Sequence, residues 1–195
     1  MRPFAARLAV AVLAAVLGCA ACARPGESPS SPATVPATAG ATPSPAAVDP
    51  TTAIHIEVLR RYLTSTSENS NLSGEVIYIL DHTDPAAADP MAHNQGSSPI
   101  PAAERDAIES ALKDIAPVRW VKTREAAMTD VDNCARVRDN GILMVIGPPK
   151  RSGADYHVGV HGFVACLGAT WLTYVVQQSG SGWKVTGTTG SMAVA

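Results

Sequence analysis

Several patterns that mark an enzyme or a nucleic-acid-binding protein are missing from these 195 residues. There is no glycine-rich phosphate loop and no nucleophile elbow. Gly147-Pro148-Pro149-Lys150-Arg151-Ser152-Gly153 carries a basic pair, yet its two prolines have no N–H to offer a phosphate, so it reads as a turn between strands. No segment repeats at the period of a solenoid or propeller. Basic residues are not in excess, with 15 Lys and Arg against 17 Asp and Glu. A phosphate backbone calls for a basic stripe, so nucleic acid is not an expected partner. No apolar run reaches the roughly 20 residues that a membrane-spanning helix needs. No cofactor is implied.

What is present begins at the N-terminus. Arg2 and Arg7 flank the start of an unbroken apolar run, Leu8 to Leu17, and small residues then lead to Cys19. A positive start followed by a short apolar stretch reads as a cleaved export signal. Val16-Leu17-Gly18-Cys19 resembles the lipobox of bacterial lipoproteins. The resemblance implies that the Cys19 thiol receives a diacylglyceryl group and that cleavage just before it leaves an acylated N-terminus. An ordinary secretory signal, cut at Ala-rich sites further on, is the alternative. Cys22 has Cys19 three residues before it where a lipobox has an aliphatic residue, and is the poorer acceptor; it is a second lipid target or an exposed thiol. Removing residues 1–18 takes two arginines and no acids, which leaves 177 residues with a net charge of −4. Such a chain has little electrostatic grip on anionic lipid, so the acyl groups would hold it to the bilayer, on the extracytoplasmic face of the bacterial cell membrane.

Residues 23–50 hold seven prolines, many Ala, Ser and Thr, two valines as the only larger aliphatics and no aromatics. They cannot bury enough apolar surface to offset chain entropy, which predicts a disordered tether reaching roughly 30–80 Å. Ala/Pro/Thr-rich tethers of this kind resemble those of lipoproteins from high-GC actinobacteria. The expected organisation is a signal over 1–18, a lipidated cysteine and tether over 19–49, and a single domain over 50–195, long enough for a real core.

Within the domain, Asp49-Pro50 is a helix start, and Ile56, Leu59 and Leu63 with Val58 and Tyr62 predict an amphipathic helix over 50–64. Glu75 to Leu80 reads as a buried strand. A second helix follows Pro101, its apolar face made by Ile108, Ala111, Leu112 and Ile115 and its other face by Glu104, Arg105, Asp106, Glu109, Lys113 and Asp114. Short strands are expected at Val118–Lys122 and Ile142–Ile146. Three longer ones follow at Tyr156–Leu167, Thr170–Gln178 and Trp183–Thr188, joined by turns at Gly168-Ala169 and Ser179–Gly182. Links that short make neighbours antiparallel. The fold class is therefore α+β, an antiparallel sheet with both helices packed on one face.

Thr173-Tyr174-Val175-Val176 followed by Gly182-Trp183-Lys184-Val185-Thr186-Gly187-Thr188-Thr189-Gly190 is similar to the ending of many exported bacterial proteins and to the closing hairpin of nuclear-transport-factor-2-like domains. The likeness covers only these residues and transfers no catalytic residue. It implies a curled antiparallel sheet, with room for a cavity on its concave face.

Three groups of residues are candidates for chemistry. Cys134, in a polar loop, and Cys166, in a strand, form the most economical disulfide outside the cytoplasm, worth roughly 3–4 kcal/mol in the chain-entropy model. Two buried free thiols or a nucleophilic cysteine are the alternatives. His157 and His161 have a spacing that could share a metal on a helix, but along a strand they stand about 13 Å apart. They read as two polar residues on the less buried face. Asp81-His82-Thr83-Asp84, with Asp89 and His93, runs from a strand end into a long loop, where sites are often placed. Asp81, His82, Asp84 and His93 are weak candidates for a divalent ion, because no pair has a diagnostic ligand spacing. The leading expectation is a non-enzymatic, membrane-anchored module that binds a small apolar ligand or another envelope protein. The alternative is a hydrolase or metal-dependent enzyme using the loop from Asp81 to His93.

Overall fold

The computed structural model describes residues 48–92 and 96–195. The expected signal, Cys19, Cys22, nearly all of the tether and His93 lie outside the described residues.

Helix α1, Pro50–Thr64, starts as its sequence dictates. The Asp49 carboxylate accepts from the Thr51 and Thr52 backbone N–H groups at 2.9 and 3.4 Å, and Pro50 occupies the first turn, where its missing N–H costs nothing. Ile54, Val58, Leu59 and Tyr62 line its buried face. Helix α2, Ala102–Leu112, buries Ile108 and Leu112. Among the described residues no helix is long and apolar enough to cross a membrane.

The strands, in chain order, are β1 Ile77–Leu80, β2 His82–Thr83, β3 Ser98–Pro99, β4 Val118–Val121, β5 Met128–Val131, β6 Cys134–Val137, β7 Ile142–Ile146, β8 Lys150–Ser152, β9 Asp155–Ala165, β10 Gly168–Ser179 and β11 Gly182–Val194. The main sheet runs β11-β10-β9-β7-β1-β4, and β2 and β3 form a separate ribbon that closes the long loop. The fold is α+β, but the sheet is mixed where pure antiparallel pairing was expected. β1 runs parallel to both β4 and β7, whereas the other strand pairs are antiparallel. Parallel neighbours need a long crossover, and the segment carrying α2 supplies it between β1 and β4. The short-turn argument holds for β9, β10 and β11.

Both helices do lie on one face. Ile77, Ile79, Ile142, Met144, Ile146, Val158, Val160, Leu172, Tyr174 and Val176 meet Ile54, Val58, Leu59, Tyr62, Ile108 and Leu112 in the larger core. Gly162 is essential to this packing, since a Cβ there would overlap the Tyr62 hydroxyl, which bonds to Thr170 Oγ1. Burial pushes the Tyr62 phenol up to about 12. Tyr78, Leu80, Leu143 and Val145 point the other way, into a smaller core with Ala87, Ala127 and Val137. Covered on both faces, β1 and β7 read as continuous apolar runs.

That second covering layer, the β5–β6 hairpin with the 84–90 loop, was not expected. The hairpin turns through Asp132 and Asn133, both at positive φ (54° and 60°), the backbone that a two-residue hairpin loop demands. Cys134 and Cys166 stand within disulfide distance, their Cα atoms 5.4 Å apart. Their settings are the reverse of those read from sequence: Cys134 opens β6, and Cys166 sits in the turn after β9. The bridge thus clamps the hairpin to the end of β9, beside the Arg136–Ala165 strand pair.

Glu104 is also corrected. Assigned to the solvent face of α2, it is buried, and its Oε1 lies 2.5 Å from Nδ1 of the equally buried His55. Nε2 of His55 donates to the Gly147 carbonyl at 3.2 Å. The carbonyl can only accept, so Nε2 carries the proton of that bond, and Nδ1 is left to pair with the Glu104 carboxyl. This pair bolts α1 to α2 and to the end of β7.

Candidate functional site

Alternation along β9 sends Tyr156, Val158 and Val160 to the helices and His157, Gly159, His161 and Phe163 to the opposite face. On that face the 84–90 loop packs close to Gly159, where a Cβ would come within 3.0 Å of the Ala88 backbone nitrogen. The loop roofs part of the sheet and leaves a cleft of about 310 Å³ beside it, lined by Asp84, Asp89, Arg124, His161 and Trp171 among others.

His161 is only 2 % exposed, which overturns its placement on the less buried face; His157 stays half-buried. The reason is tertiary, since the loop and the Arg124 segment cover the one histidine and not the other. Its ring lies flat on Trp171, with centroids 4.6 Å apart and planes 9° apart, and Phe163 meets it edge-on at 6.5 Å. A one-residue register shift between Gly168 and Ala169 creates this stack. Gly168 faces Ala165, but Ala169 faces Phe163, so Trp171 falls opposite His161 instead of opposite Gly162. Without the shift the indole would be on the helix side. The turn itself is Cys166-Leu167, two residues before the expected one.

Both ring nitrogens of His161 are buried and have no hydrogen-bond partner among the described residues. An unsatisfied buried polar group costs about 1–3 kcal/mol and calls for an explanation. Burial, assisted by the nearby Arg124 charge, pushes the imidazole pKa down to about 3. The ring is therefore neutral at ordinary pH, with one N–H donor and one acceptor lone pair.

Arg124 stands half-buried on the same cleft. Burial lowers its pKa, opposed by the charges of Asp84 and Glu125. It makes no ion pair among the described residues, although Asp84 is close enough for its charge to act. Asp84 Oδ1 accepts from the Ala86 N–H at 2.8 Å and Asp89 Oδ1 from the Met91 N–H at 2.9 Å. Each carboxylate is thereby oriented through one oxygen.

Of the four weak candidates for a divalent ion, His93 lies outside the described residues. Asp81 and His82 contact each other at 3.0 Å, Asp84 lines the cleft with Arg124, and among the described residues no three His, Cys, Asp or Glu side chains are placed to share an ion. Of the sequence candidates among the described residues, Asp84, Asp89 and His161 line the cleft. Arg124 and Trp171 carried no sequence signal. Finding Trp171 would have required placing the register shift, and finding Arg124 would have required knowing what packs on β9. No protein-family model, curated protein or solved structure matches this chain.

Proposed function

We propose that this chain is a non-enzymatic, lipid-anchored binding protein of the bacterial cell envelope. In this reading Cys19 holds it to the extracytoplasmic face of the membrane, and the cleft beside His161 captures a small polar molecule. The anchor rests on Arg2, Arg7, the apolar run and Val16-Leu17-Gly18-Cys19. Capture rests on one observation, the buried imidazole with both nitrogens unpaired on a cleft wall. A pKa of about 3 leaves that ring too weakly basic to act as a general base near neutrality, so the site suits holding a ligand better than moving a proton. Its charged lining favours a polar ligand over the apolar one first expected. The likeness of the closing hairpin to nuclear-transport-factor-2-like domains belongs to the same proposal, as a curled sheet used for ligand capture.

Two experiments test it. Cys19→Ser should leave the protein unprocessed or shed. A Ser variant that still partitions into detergent as a shortened, acylated form overturns Cys19 as the anchor and points to Cys22. For capture, the full chain is screened by thermal shift against small water-soluble metabolites. A ligand at about a hundred times its Kd stabilises by about 2.7 kcal/mol, a shift of several °C. At least one compound should stabilise the wild type and not His161→Phe, and a library in which none does so overturns the capture reading.

A further inference from the structure

The cleft combines three features that are individually ordinary and together restrictive. The Arg124 guanidinium offers a fork of N–H donors and makes no ion pair among the described residues. Two carboxylates, Asp84 and Asp89, line the same 310 Å³, and each has one oxygen engaged by a backbone N–H. Asp84 acts on Arg124 through its charge, yet the two do not close into an ion pair. Opposite charges that face one cleft without touching leave room for something between them. Beneath them lies the neutral His161, able to give one hydrogen bond and accept another, on a flat aromatic base made by Trp171.

A simple anion would satisfy Arg124 but would meet two carboxylates of its own sign. A simple cation would satisfy the carboxylates but would meet the guanidinium. Either mismatch costs affinity and selects against that ligand. A molecule carrying both charges satisfies all three groups.

We infer that the cleft binds a small zwitterion, an amino acid or short peptide in chemical class, with its carboxylate on Arg124, its ammonium toward Asp84 and Asp89, and a polar atom on His161. The inference rests on the capture reading above and specifies its ligand.

The test uses the full chain, ¹⁵N-labelled, with the three tryptophan indole N–H resonances as reporters. Trp171→Phe assigns the signal from the cleft, and Trp120 and Trp183 serve as internal controls. Glycylglycine, acetate and ethylammonium are titrated separately. Glycylglycine should move the Trp171 signal saturably, leave the other two in place, and act at concentrations where acetate and ethylammonium do nothing. Arg124→Gln and Asp84→Asn should each weaken it by about tenfold or more. Arg124→Lys, which keeps the charge without the fork, should lie between, and an unchanged Trp183 signal certifies the fold of each variant. Acetate matching glycylglycine, with Asp84→Asn silent, would make this a plain anion site and overturn the zwitterion while capture survives. A Trp171 signal unmoved by glycylglycine, or all three signals moving together, also overturns it. The metabolite screen then decides separately whether the cleft captures anything else.

Discussion

The imidazole of His161 and the indole of Trp171 are direct cross-strand partners, stacked 4.6 Å apart and nearly parallel. The contact satisfies the flat faces of both rings and does nothing for the imidazole nitrogens, which remain without partners among the described residues. Aromatic stacking of this kind is worth about 0.5–1.5 kcal/mol, while stranding two polar atoms opposes it with a cost at least as large. The site is therefore less stable than an apolar pair of the same shape would be.

Acid should expose this cost. An unfolded histidine takes up a proton below about pH 6.5, whereas His161 in the folded domain resists until about pH 3. The unfolded state thus binds more protons across that window, and stability falls as pH drops from 6.5 toward 3. The full loss approaches about 4–5 kcal/mol at the acid end. Arg124 reinforces the effect, and Asp84 and Asp89 face the same cleft. His161→Phe removes the titrating group and preserves the stack, so its stability should depend less steeply on pH. Denaturant unfolding of both proteins near neutrality and near pH 4 measures the difference, and parallel pH profiles would rule out a buried, unpaired His161.

The His55–Glu104 pair predicts strong coupling. Truncating one partner leaves the other buried and uncompensated, at about 3–5 kcal/mol. Glu104→Ala should therefore be severely destabilising, while His55→Phe combined with Glu104→Leu should recover much of the loss. A double-mutant cycle by urea denaturation reads the coupling, and near-additive single effects would contradict the buried pair.

For the disulfide, the oxidised protein should show no titratable thiol from Cys134 or Cys166. The two residues are 32 apart in sequence, a loop whose closure is worth about 3–4 kcal/mol. The Cys134→Ser, Cys166→Ser double variant should melt lower by on the order of 10 °C. Calorimetry of the variant beside the wild type measures it; equal melting temperatures would remove the bridge from the stability of the domain.

The closing hairpin pairs as expected. Val176 faces Val185 across the Gly180-Ser181 turn, Tyr174 lies on the same side, and Trp183 meets Tyr156 edge-on at 5.3 Å. Truncating a fully packed tryptophan costs about 3–5 kcal/mol, and half-burial should reduce that to about 2–3 kcal/mol for Trp183→Ala. His157→Ala, on a half-buried side chain with a strand-edge neighbour, should stay within about 0.5 kcal/mol. Thermal unfolding of the two variants should separate them clearly.

Helix α1, the buried runs of β1 and β7 and the β10–β11 hairpin were determined by the sequence alone. Their signals are local: a capping aspartate before proline, apolar residues at helical spacing, β-branched runs, and Gly-Ser turns. The β5–β6 hairpin was equally local, and its Asp132-Asn133 turn could have been recognised. Other features belong to the tertiary structure only. The direction of β1 against β7 depends on how the chain crosses between distant strands, and pattern cannot express it. Glu104 reads as solvent-facing until His55 arrives from another helix. Trp171 reaches His161 through a single-residue shift that changes the face of a side chain without changing any residue type. Periodicity shows which faces alternate; only packing between segments far apart in sequence decides which face is covered, and by which charges.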